Sequence, residues 1–534
     1  LIFAFLIPTA VMLVLFVIRG IYPFGDRSFL FADMYHQYMP FFSELLHKVR
    51  GGESLNFSFN VGIGSNFLAL FVYYLASPFH ILSLLVPERF LVEFLSYLIV
   101  VKIGLAGLAF YIYLQEHFRL RECPDRGKAS GGACQESGGQ RSEEPCPASG
   151  GRLAAILFSC FYALSGFMAA YNYNIMWVDC VVLLPLILLG LERLVREGRC
   201  GLYCVTLALS IYTNYYISIM ICIFLVLYFV FLVVTEPKRP RGIWRRGVPG
   251  HFALYSLLAG GMAAVLLIPE VCAIVQTDFG DMEFPKKIET YFSVLDMLAR
   301  HCMCVYTERG LEHWPNIYCG SAVLLLIPIY LMNKKISIRE KFCRMALVGF
   351  LLLSFSTNLL NFIWHGLNYP DSLPARQSFI YIFLVLVMCY DAWRHVRETD
   401  EQSILYGYLC AVGFFLFCEK FVEHEDFELG VKLLTLVFVS IYAILLHLYR
   451  TREDRNTLKA VAIVAVAAVI AECGVNTLVT SVGTVSRSAY LGQQEDYKEL
   501  YRMTKEREAG FYRLEKFSRK TKNDGTLTGY PTAS

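Results

Sequence analysis

Runs of about twenty apolar residues follow one another along most of this chain, and short polar stretches separate them. A run of that length crosses a hydrocarbon core of ~30 Å as one helix, so the pattern predicts an all-α, polytopic membrane protein with about thirteen spans. Residues 1–475 are therefore expected to form one transmembrane domain. The predicted spans are residues 1–19, 92–114, 153–171, 179–195, 201–214, 216–234, 252–273, 317–332, 343–362, 377–391, 403–420, 430–449 and 458–475.

Two apolar stretches depart from the simple pattern. Residues 66–86 contain Pro78 and the doubled aromatic Tyr73–Tyr74. Because proline interrupts a helix, we expect this stretch to lie in the outer interface, within a first outer loop at 20–91. Residues 201–234 form either two short helices broken near Asn214 or one long tilted helix.

The charges in the loops predict which side each loop occupies. Basic loops face the cytoplasm in membrane proteins. The loops rich in Lys and Arg are 119–128, 193–199, 238–246, 334–344 and 450–459, whereas 172–178 has neither residue and 421–429 is acidic. This distribution predicts a multi-pass protein of the cell membrane. It places Asp33, Asp179, the loops 274–316 and 363–376 and the C-terminal segment on the extracytoplasmic side.

Two segments differ in composition from the spans. Residues 122–151 are rich in Gly, Ser and Glu, which predicts a disordered cytoplasmic insert. Residues 476–534 are expected to begin a soluble, β-rich outer domain, because apolar and polar residues alternate in AGFYRLEKF (509–517) ahead of a polar turn at 523–525. The chain starts without Met and stops inside this region. We therefore expect it to be a fragment of a longer protein, with its first span acting as an uncleaved signal anchor.

Composition agrees with a membrane protein. Apolar residues make up 56% of the chain and charged residues only 17%, against about a quarter charged in soluble proteins. The net charge of +3 does not indicate a nucleic-acid partner. Most of the seventeen cysteines fall in predicted spans, and Cys302 and Cys304 form a CxC pair, not the CxxC that zinc sites use. No metal site is predicted.

The strongest candidate for chemistry is Asp33, in the stretch FADMYHQYMPFF just beyond the first span, close to Tyr35 and Gln37. Membrane proteins seldom keep an acid at such a depth without a use for it. An alternative is that Asp33 caps an interfacial helix ending near Arg50.

Further candidates share the predicted outer side. Asp179 follows Trp177, the loop 363–376 offers His365, Asp371 and Arg376, and Lys102 interrupts an apolar span. This set suits a ligand with a phosphate, a sugar and a lipid tail, since Arg forks phosphate oxygens, aromatics stack on sugars and a carboxylate can accept a hydroxyl proton. Each also has a structural alternative: Asp179 pairing with a neighbouring helix, Lys102 snorkelling or contacting lipid headgroups, Arg376 anchoring at the interface, and His365 packing in the core.

Several motifs match a known family in order and over nearly the whole chain. They are the run DMYHQYMPFF…VGIGSNF (33–67), YYLASP (73–78), YALSGF (162–167), NIMWVDCVVLLPLI (174–187), WPNIYCG (314–320), HGLNYPDSLPARQSF (365–379) and FYRLEK (511–516). In these motifs the chain resembles the bacterial YfhO family of membrane proteins. The resemblance implies a multi-span GT-C glycosyltransferase fold. Such proteins move a sugar from a polyprenyl-phosphate carrier to an outer acceptor, here a cell-wall polymer, most often lipoteichoic acid.

The resemblance also implies roles for the candidate residues. Asp33 falls at the place of the catalytic aspartate in the first outer loop of GT-C enzymes. The expected substrate-binding residues are Asp179, Arg376, Lys102, His365, Trp177, Gln37 and Tyr35. The expected partners are an undecaprenyl-phosphate-linked sugar, the polymer acceptor and membrane lipids. No nucleotide is expected, and whether a divalent cation takes part stays open.

Two other classes of function remain compatible with the sequence. A lipid or polysaccharide transporter would use the same cavity without making bonds, and transporters often show internal repeats and helices broken at mid-membrane. The sequence shows no internal repeat, and its polar residues gather at the outer end. A non-catalytic scaffold of envelope assembly would not need the carboxylate of Asp33.

Overall fold

The computed structural model describes residues 1–122, 149–236, 247–277, 284–370, 372–422, 427–508 and 510–532. Most of the predicted insert at 122–151 thus lies outside the described residues, as do residues 423–426 of the acidic loop at 421–429 and Asp371. The α-helices are α1 Ile2–Arg19, α2 Met39–Gly51, α3 Phe67–Leu70, α4 Pro78–Ile81, α5 Leu91–Glu122, α6 Ser149–Ala163, α7 Gly166–Tyr171, α8 Ile175–Glu197, α9 Gly201–Thr213, α10 Tyr215–Thr235, α11 Val248–Met262, α12 Ala264–Ile274, α13 Val294–Ala299, α14 Ala322–Met332, α15 Ile338–Ser356, α16 Asn358–Trp364, α17 Ser378–Arg394, α18 Glu401–Phe421, α19 Leu429–Thr451, α20 Arg455–Thr480, α21 Arg487–Leu491, α22 Gln494–Arg507 and α23 Asp524–Thr528.

Shorter elements occur mostly in the first loop. Met34–Tyr38 and Phe71–Leu75 are π-helical turns, and Leu82–Leu85, Glu88–Phe90 and Val396–Glu398 are 3₁₀ turns. The strands are β1 Arg27–Ser28, β2 Phe57–Ser58, β3 Ser65–Asn66 and β4 Val485–Ser486. β1 pairs antiparallel with β4, and β2 with β3. The all-α prediction is therefore confirmed.

The predicted count of thirteen spans is not confirmed. Every predicted span is helical over most of its length, yet only eight helices in the described part of the chain are long and apolar enough to cross a membrane, or ten if each bent pair is one span. The shortfall has a geometric reason. α14, for example, has eleven residues, which rise only about 16 Å.

Two bent helix pairs stand among the spans. The helices at Phe67–Leu75 and Pro78–Leu85 meet at 109°, and α11 and α12 meet at 74°. The first bend lies within residues 66–86 and agrees with the expectation that this stretch is not one straight span. Between α9 and α10 the chain breaks at Asn214, whose side chain caps the Ile217 N–H. The two-helix alternative for 201–234 is therefore the observed one.

The helix bundle has two distinct ends. At one end the predicted cytoplasmic loops meet, since Arg121 contacts Glu340 at 2.7 Å and Asp391 at 3.3 Å, and Lys334 contacts Asp400 at 3.1 Å. The first loop, residues 20–91, meets the C-terminal segment at the opposite end, which we call the Asp33 end. Loops predicted to share a side of the membrane thus lie at the same end of the bundle.

The C-terminal segment differs from the predicted β-rich domain. Among described residues 485–532, here called the strap, regular pairing is limited to β4 and a single bridge between Leu514 and Thr532. The predicted turn at 523–525 instead opens α23. Residues 511–517 alternate in polarity, but only Leu514 forms a bridge, so no regular strand forms there and the strand prediction is wrong.

The strap packs directly on the first loop. Ser43 Oγ donates to the Leu527 carbonyl at 2.9 Å, and Thr526 Oγ1 donates to the Asn60 carbonyl at 2.6 Å. Asn523 Nδ2 donates to the carbonyl of His36 at 2.7 Å, three residues from Asp33. Ion pairs add to these contacts, joining Arg487 to Glu93 and Lys498 to Glu88. The last described residues of the chain therefore fix the loop that carries the candidate acid.

Candidate functional site

Asp33 lies at an irregular point of the backbone. Ala32 before it has φ +45°, a conformation uncommon for residues other than glycine. The π-helical turn Met34–Tyr38 follows directly, and such turns are frequent at functional sites. The Asp33 side chain forms no capping hydrogen bond. The alternative that Asp33 serves only as a helix cap is therefore wrong.

Asp33 instead begins a short line of side-chain hydrogen bonds. Gln37 Nε2 donates to Asp33 Oδ1 at 3.3 Å, and Gln37 Oε1 accepts from the Tyr74 hydroxyl at 3.1 Å. Tyr38, one turn away, is buried and donates to Asn174 ahead of α8. These bonds hold the first loop between the bent pair at 67–85 and α8.

Opposing effects act on the Asp33 carboxylate. Burial raises its pKa, while the positive charges of His36, Lys522 and Arg376 lower it by smaller amounts, so that the pKa lies above its ordinary value. A carboxylate with a raised pKa accepts a proton more readily than an exposed aspartate does. The environment of Asp33 thus suits a general base.

Arg376 is held between two aromatic rings. Its guanidinium lies 5.1 Å from the Trp177 ring and 5.0 Å from the Tyr216 ring. Nε and one terminal nitrogen donate to the carbonyls of Leu373 and Ser372 at 3.0 Å. Arginine has five N–H donors, so donors remain for an anion.

The loop before Arg376 has an unusual backbone. Leu367, Leu373 and Ala375 have φ of 65°, 59° and 50°. Residues other than glycine in this region carry strain, which concentrates at functional sites and ligand clamps. The loop is therefore shaped to present Arg376 in one orientation.

Tyr73 lies at the centre of the site. Its ring is 4.6 Å from that of Tyr74, 5.9 Å from that of Tyr215 and 6.3 Å from that of Tyr216. The charges that act on its hydroxyl are those of Arg376, Asp33 and Glu270. Asp33 and Arg376, far apart in sequence, therefore border one tyrosine-lined region. The doubled tyrosines at 73–74 and 215–216 are the sequence signal for this region, although their pattern alone predicts only an interfacial segment and a helix break.

Lys102 and Asp179 form a buried ion pair beneath this region. Lys102 Nζ donates to Asp179 Oδ2 at 2.8 Å, to the Ile175 carbonyl at 2.9 Å and contacts His80 Nε2 at 3.0 Å. An ammonium group has three donors. All of them are engaged within the protein, so Lys102 has none left for a phosphate. Asp179 adopts the paired alternative through Oδ2, while its buried Oδ1 has no hydrogen-bond partner.

The other predicted residues divide between the site and its surroundings. His365 is buried, and its Nδ1 lies 2.7 Å from the Asn361 carbonyl. Burial and the charge of Arg376 lower its pKa to about 3, so the ring is neutral. Tyr35 turns away toward the strap, with its ring 4.6 Å from that of Tyr490. The structure thus brings Asp33, Gln37, Trp177 and Arg376 together and places Tyr35 at the edge.

Metal-ligating side chains are scattered. Within the described residues no group of three or more His, Cys, Asp and Glu side chains is placed to hold a metal ion. Cys302 and Cys304 are buried in the protein.

The fold and the site define a class: an all-α, multi-span membrane protein with a half-buried acid, a sandwiched arginine and clustered tyrosines at one end of its bundle. The chain belongs to the family described as bacterial membrane protein YfhO, whose sequence model matches residues 4–122 and 148–534. The predicted family is therefore confirmed.

Comparisons with curated proteins and with solved structures add little to the family assignment. None of the curated proteins compared matches the chain. A crystal structure of ArnT from Cupriavidus metallidurans bound to undecaprenyl phosphate is similar over 99% of this chain and 84% of that chain, with a TM-score of 0.42 and 11% identity. A likeness of that size is too weak to establish a shared fold, ligand or activity.

Proposed function

We propose that this YfhO-family protein is a membrane glycosyltransferase of the GT-C type. It transfers a sugar from a polyprenyl-phosphate carrier to a cell-envelope polymer of the lipoteichoic acid class, on the extracytoplasmic face. The observation that carries this proposal is the pairing of a half-buried acid, Asp33, with an aromatic-sandwiched Arg376 around one tyrosine-lined region. The family resemblance supplies the substrate classes.

The proposed reaction is a single inverting displacement. Arg376 binds the carrier phosphate through its free donors. Asp33 accepts the proton of the acceptor hydroxyl as that oxygen bonds to the anomeric carbon. The bond from the anomeric carbon to the phosphate oxygen breaks with its electron pair, and the carrier leaves as polyprenyl phosphate. The phosphate–sugar bond of the donor supplies the driving force, so the reaction needs no nucleotide.

Neighbouring residues hold these two groups in place. Gln37 orients the Asp33 carboxylate, and Trp177 and Tyr216 fix the plane of the Arg376 guanidinium. Lys102 and Asp179 act as a positioning pair, because they join α5 to α8 directly under Trp177. Catalysis depends on such fixed geometry, since a misplaced group loses much of its effect.

The test uses purified protein in nanodiscs with radiolabelled undecaprenyl-phosphate-sugars and crude lipoteichoic acid. Asp33→Asn should stay folded and inserted but lose transfer, by about 100-fold or more, as expected for a general base. Asp496→Asn is the matched control, because Asp496 is an exposed carboxylate on α22, and it should transfer like wild type. Equal transfer by Asp33→Asn and wild type would remove Asp33 as the base.

A transporter is the second candidate, and the two bent helix pairs favour it. A transporter would move labelled carrier across a sealed vesicle and leave the sugar attached. Absence of transfer with glucose, N-acetylglucosamine and galactose donors, together with vesicle uptake, would replace the transferase proposal. A scaffold would show neither activity, and Asp33→Asn would then be silent.

A further inference from the structure

Glu270 is an acid inside an apolar helix. It lies in α12, the second arm of the pair bent by 74°. Val265, Ile268 and Val271 of this helix are exposed, whereas Leu266 and Glu270 are its buried residues. α12 therefore turns an apolar face outward and its acid inward. An ionisable side chain in such a helix is costly to keep unless it faces a cavity or a partner.

The inward face of α12 meets the tyrosine-lined region of the site. Leu266 packs with Val72 and Ala76 of the first bent pair. One oxygen of Glu270 accepts from the Tyr215 hydroxyl at 2.6 Å. The Tyr215 ring contacts Tyr73, whose hydroxyl also lies in the fields of Arg376 and Asp33. Glu270 thus borders the region that Asp33 and Arg376 border.

The second oxygen of Glu270 has no protein partner. Glu270 is 5% exposed, and its Oε2 is buried without a hydrogen bond. Leaving a buried polar group unpaired costs about 1–3 kcal/mol, and more for a charged group. A ligand hydroxyl donating to Oε2 would remove this cost. Within the described residues no Lys or Arg side chain forms an ion pair with Glu270, so the protein supplies no counter-charge for its carboxylate.

We infer that Glu270 is a sugar-binding residue, whose free carboxylate oxygen accepts a hydrogen bond from a ring hydroxyl of the carrier-linked sugar. Glu270, Arg376 and Asp33 reach Tyr73 by separate contacts, which run through Tyr215, Tyr216 and the Gln37–Tyr74 hydrogen bond. When the carrier phosphate is bound at Arg376 and the sugar at Glu270, Asp33 remains available to the incoming acceptor. Glu270 thereby selects the sugar by its hydroxyl pattern. This inference rests on the proposed function for the identity of the carrier.

The test is direct binding without an acceptor. Wild-type protein in nanodiscs is titrated with short-chain polyprenyl phosphate, bare or carrying glucose, N-acetylglucosamine or galactose. We expect at least one sugar-bearing carrier to bind more tightly than the bare phosphate. Glu270→Gln should weaken the binding of that sugar-bearing carrier about tenfold, because one charge-assisted hydrogen bond is lost. It should leave the binding of the bare phosphate unchanged. Arg376→Ala should weaken the binding of the sugar-bearing carrier and of the bare phosphate alike.

Two further variants separate ligand binding from a structural role. Tyr215→Phe removes the protein partner of Glu270 and should keep the sugar preference, whereas a structural pair would make it behave like Glu270→Gln. Glu270→Asp keeps the charge and should retain part of the preference even if Glu270→Gln folds poorly. Wild type without a sugar preference, or a Glu270→Gln effect that is absent or equal on both carriers, would overturn the inference. A sugar preference in the absence of any sugar transfer would support the sugar-binding role of Glu270 and contradict the proposed transferase function.

Discussion

At the scale of single residues, the site depends on how few protein partners its charged groups have. Among the described residues, Asp33 has a hydrogen bond only from Gln37, and one Glu270 oxygen has none. Lys102, by contrast, has all three of its donors engaged, although the Oδ1 oxygen of its partner Asp179 is also buried without a hydrogen bond. Charged residues therefore differ in how many of their polar atoms the protein engages, and this number separates Lys102, which is fully engaged, from Asp33 and Glu270.

The raised pKa of Asp33 predicts the acid limb of the transfer rate. A base must be ionised, so transfer should fall as pH drops through the Asp33 pKa. Because burial raises that pKa, the midpoint should lie above the ~3.9 of an exposed aspartate. His365, with a pKa of about 3, should add no limb between pH 5 and 8. The measurement is a pH–rate profile of single-turnover transfer. A midpoint at or below 3.9, or a limb near 6.5 that vanishes in His365→Gln, would contradict this assignment.

The buried pair Lys102–Asp179 predicts a stability effect. Lys102→Met leaves a buried carboxylate without its cation and should destabilise the protein by about 3–5 kcal/mol, whereas Lys102→Met with Asp179→Leu should recover most of the loss. Thermal unfolding in detergent measures both variants. The double variant should also keep donor binding. Loss of bare-phosphate binding by the folded double variant would contradict the assignment of the pair to a structural role.

At the scale of elements, the strap and the first loop form one unit although the helix bundle separates them in sequence. Ser28 Oγ donates to the carbonyl of Val485, a residue 457 positions away. The ion pair between Arg487 and Glu93 ties the start of the strap to α5, and the Arg487 guanidinium also lies 4.5 Å from the Tyr22 ring. The strap is thus anchored at its first residues and again at α23.

Arg487→Ala should loosen the strap without unfolding the bundle. The substitution removes the partly buried ion pair with Glu93. Amide exchange in residues 485–532 should therefore rise about tenfold, while exchange in α5 and α8 stays unchanged. Hydrogen exchange read by mass spectrometry measures this. Arg502→Ala is the matched control, because Arg502 is exposed and pairs with Glu499 and Glu506 of its own helix. Equal effects of the two variants would show that Arg487 does not anchor the strap.

At the scale of the whole molecule, local signals were readable from the sequence and long-range ones were not. Apolar runs predicted where the helices lie, and the four-residue spacing of Asp33 and Gln37 brought them close on one helical turn. The Arg376–Tyr216 stack depends on how distant helices pack, so no spacing reveals it. Glu270 was overlooked because it sits in an otherwise apolar run. The alternation at 509–517 predicted a strand, but the described part of that segment forms only one bridge, at Leu514.

The two ends of the bundle predict the membrane topology. Lys505→Cys at the Asp33 end should react with a membrane-impermeant maleimide in intact cells, and Lys334→Cys at the other end should react only after lysis. Both native side chains are exposed, so access is limited by the membrane and not by the fold. Mass spectrometry of the labelled peptides separates these sites from native cysteines. Labelling of Lys334→Cys in intact cells would reverse the proposed orientation.

The pairing of the strap with the first loop has a consequence for biosynthesis. The loop that carries Asp33 leaves the ribosome near the start of translation, but its partners in the strap are made more than 400 residues later. Contacts so distant in sequence form late in folding. A nascent chain would therefore insert its helices while Asp33 still lacks its final surroundings. The Asp33 end would be complete only after the strap had been made and had packed on the first loop, so a half-made chain would lack a finished site.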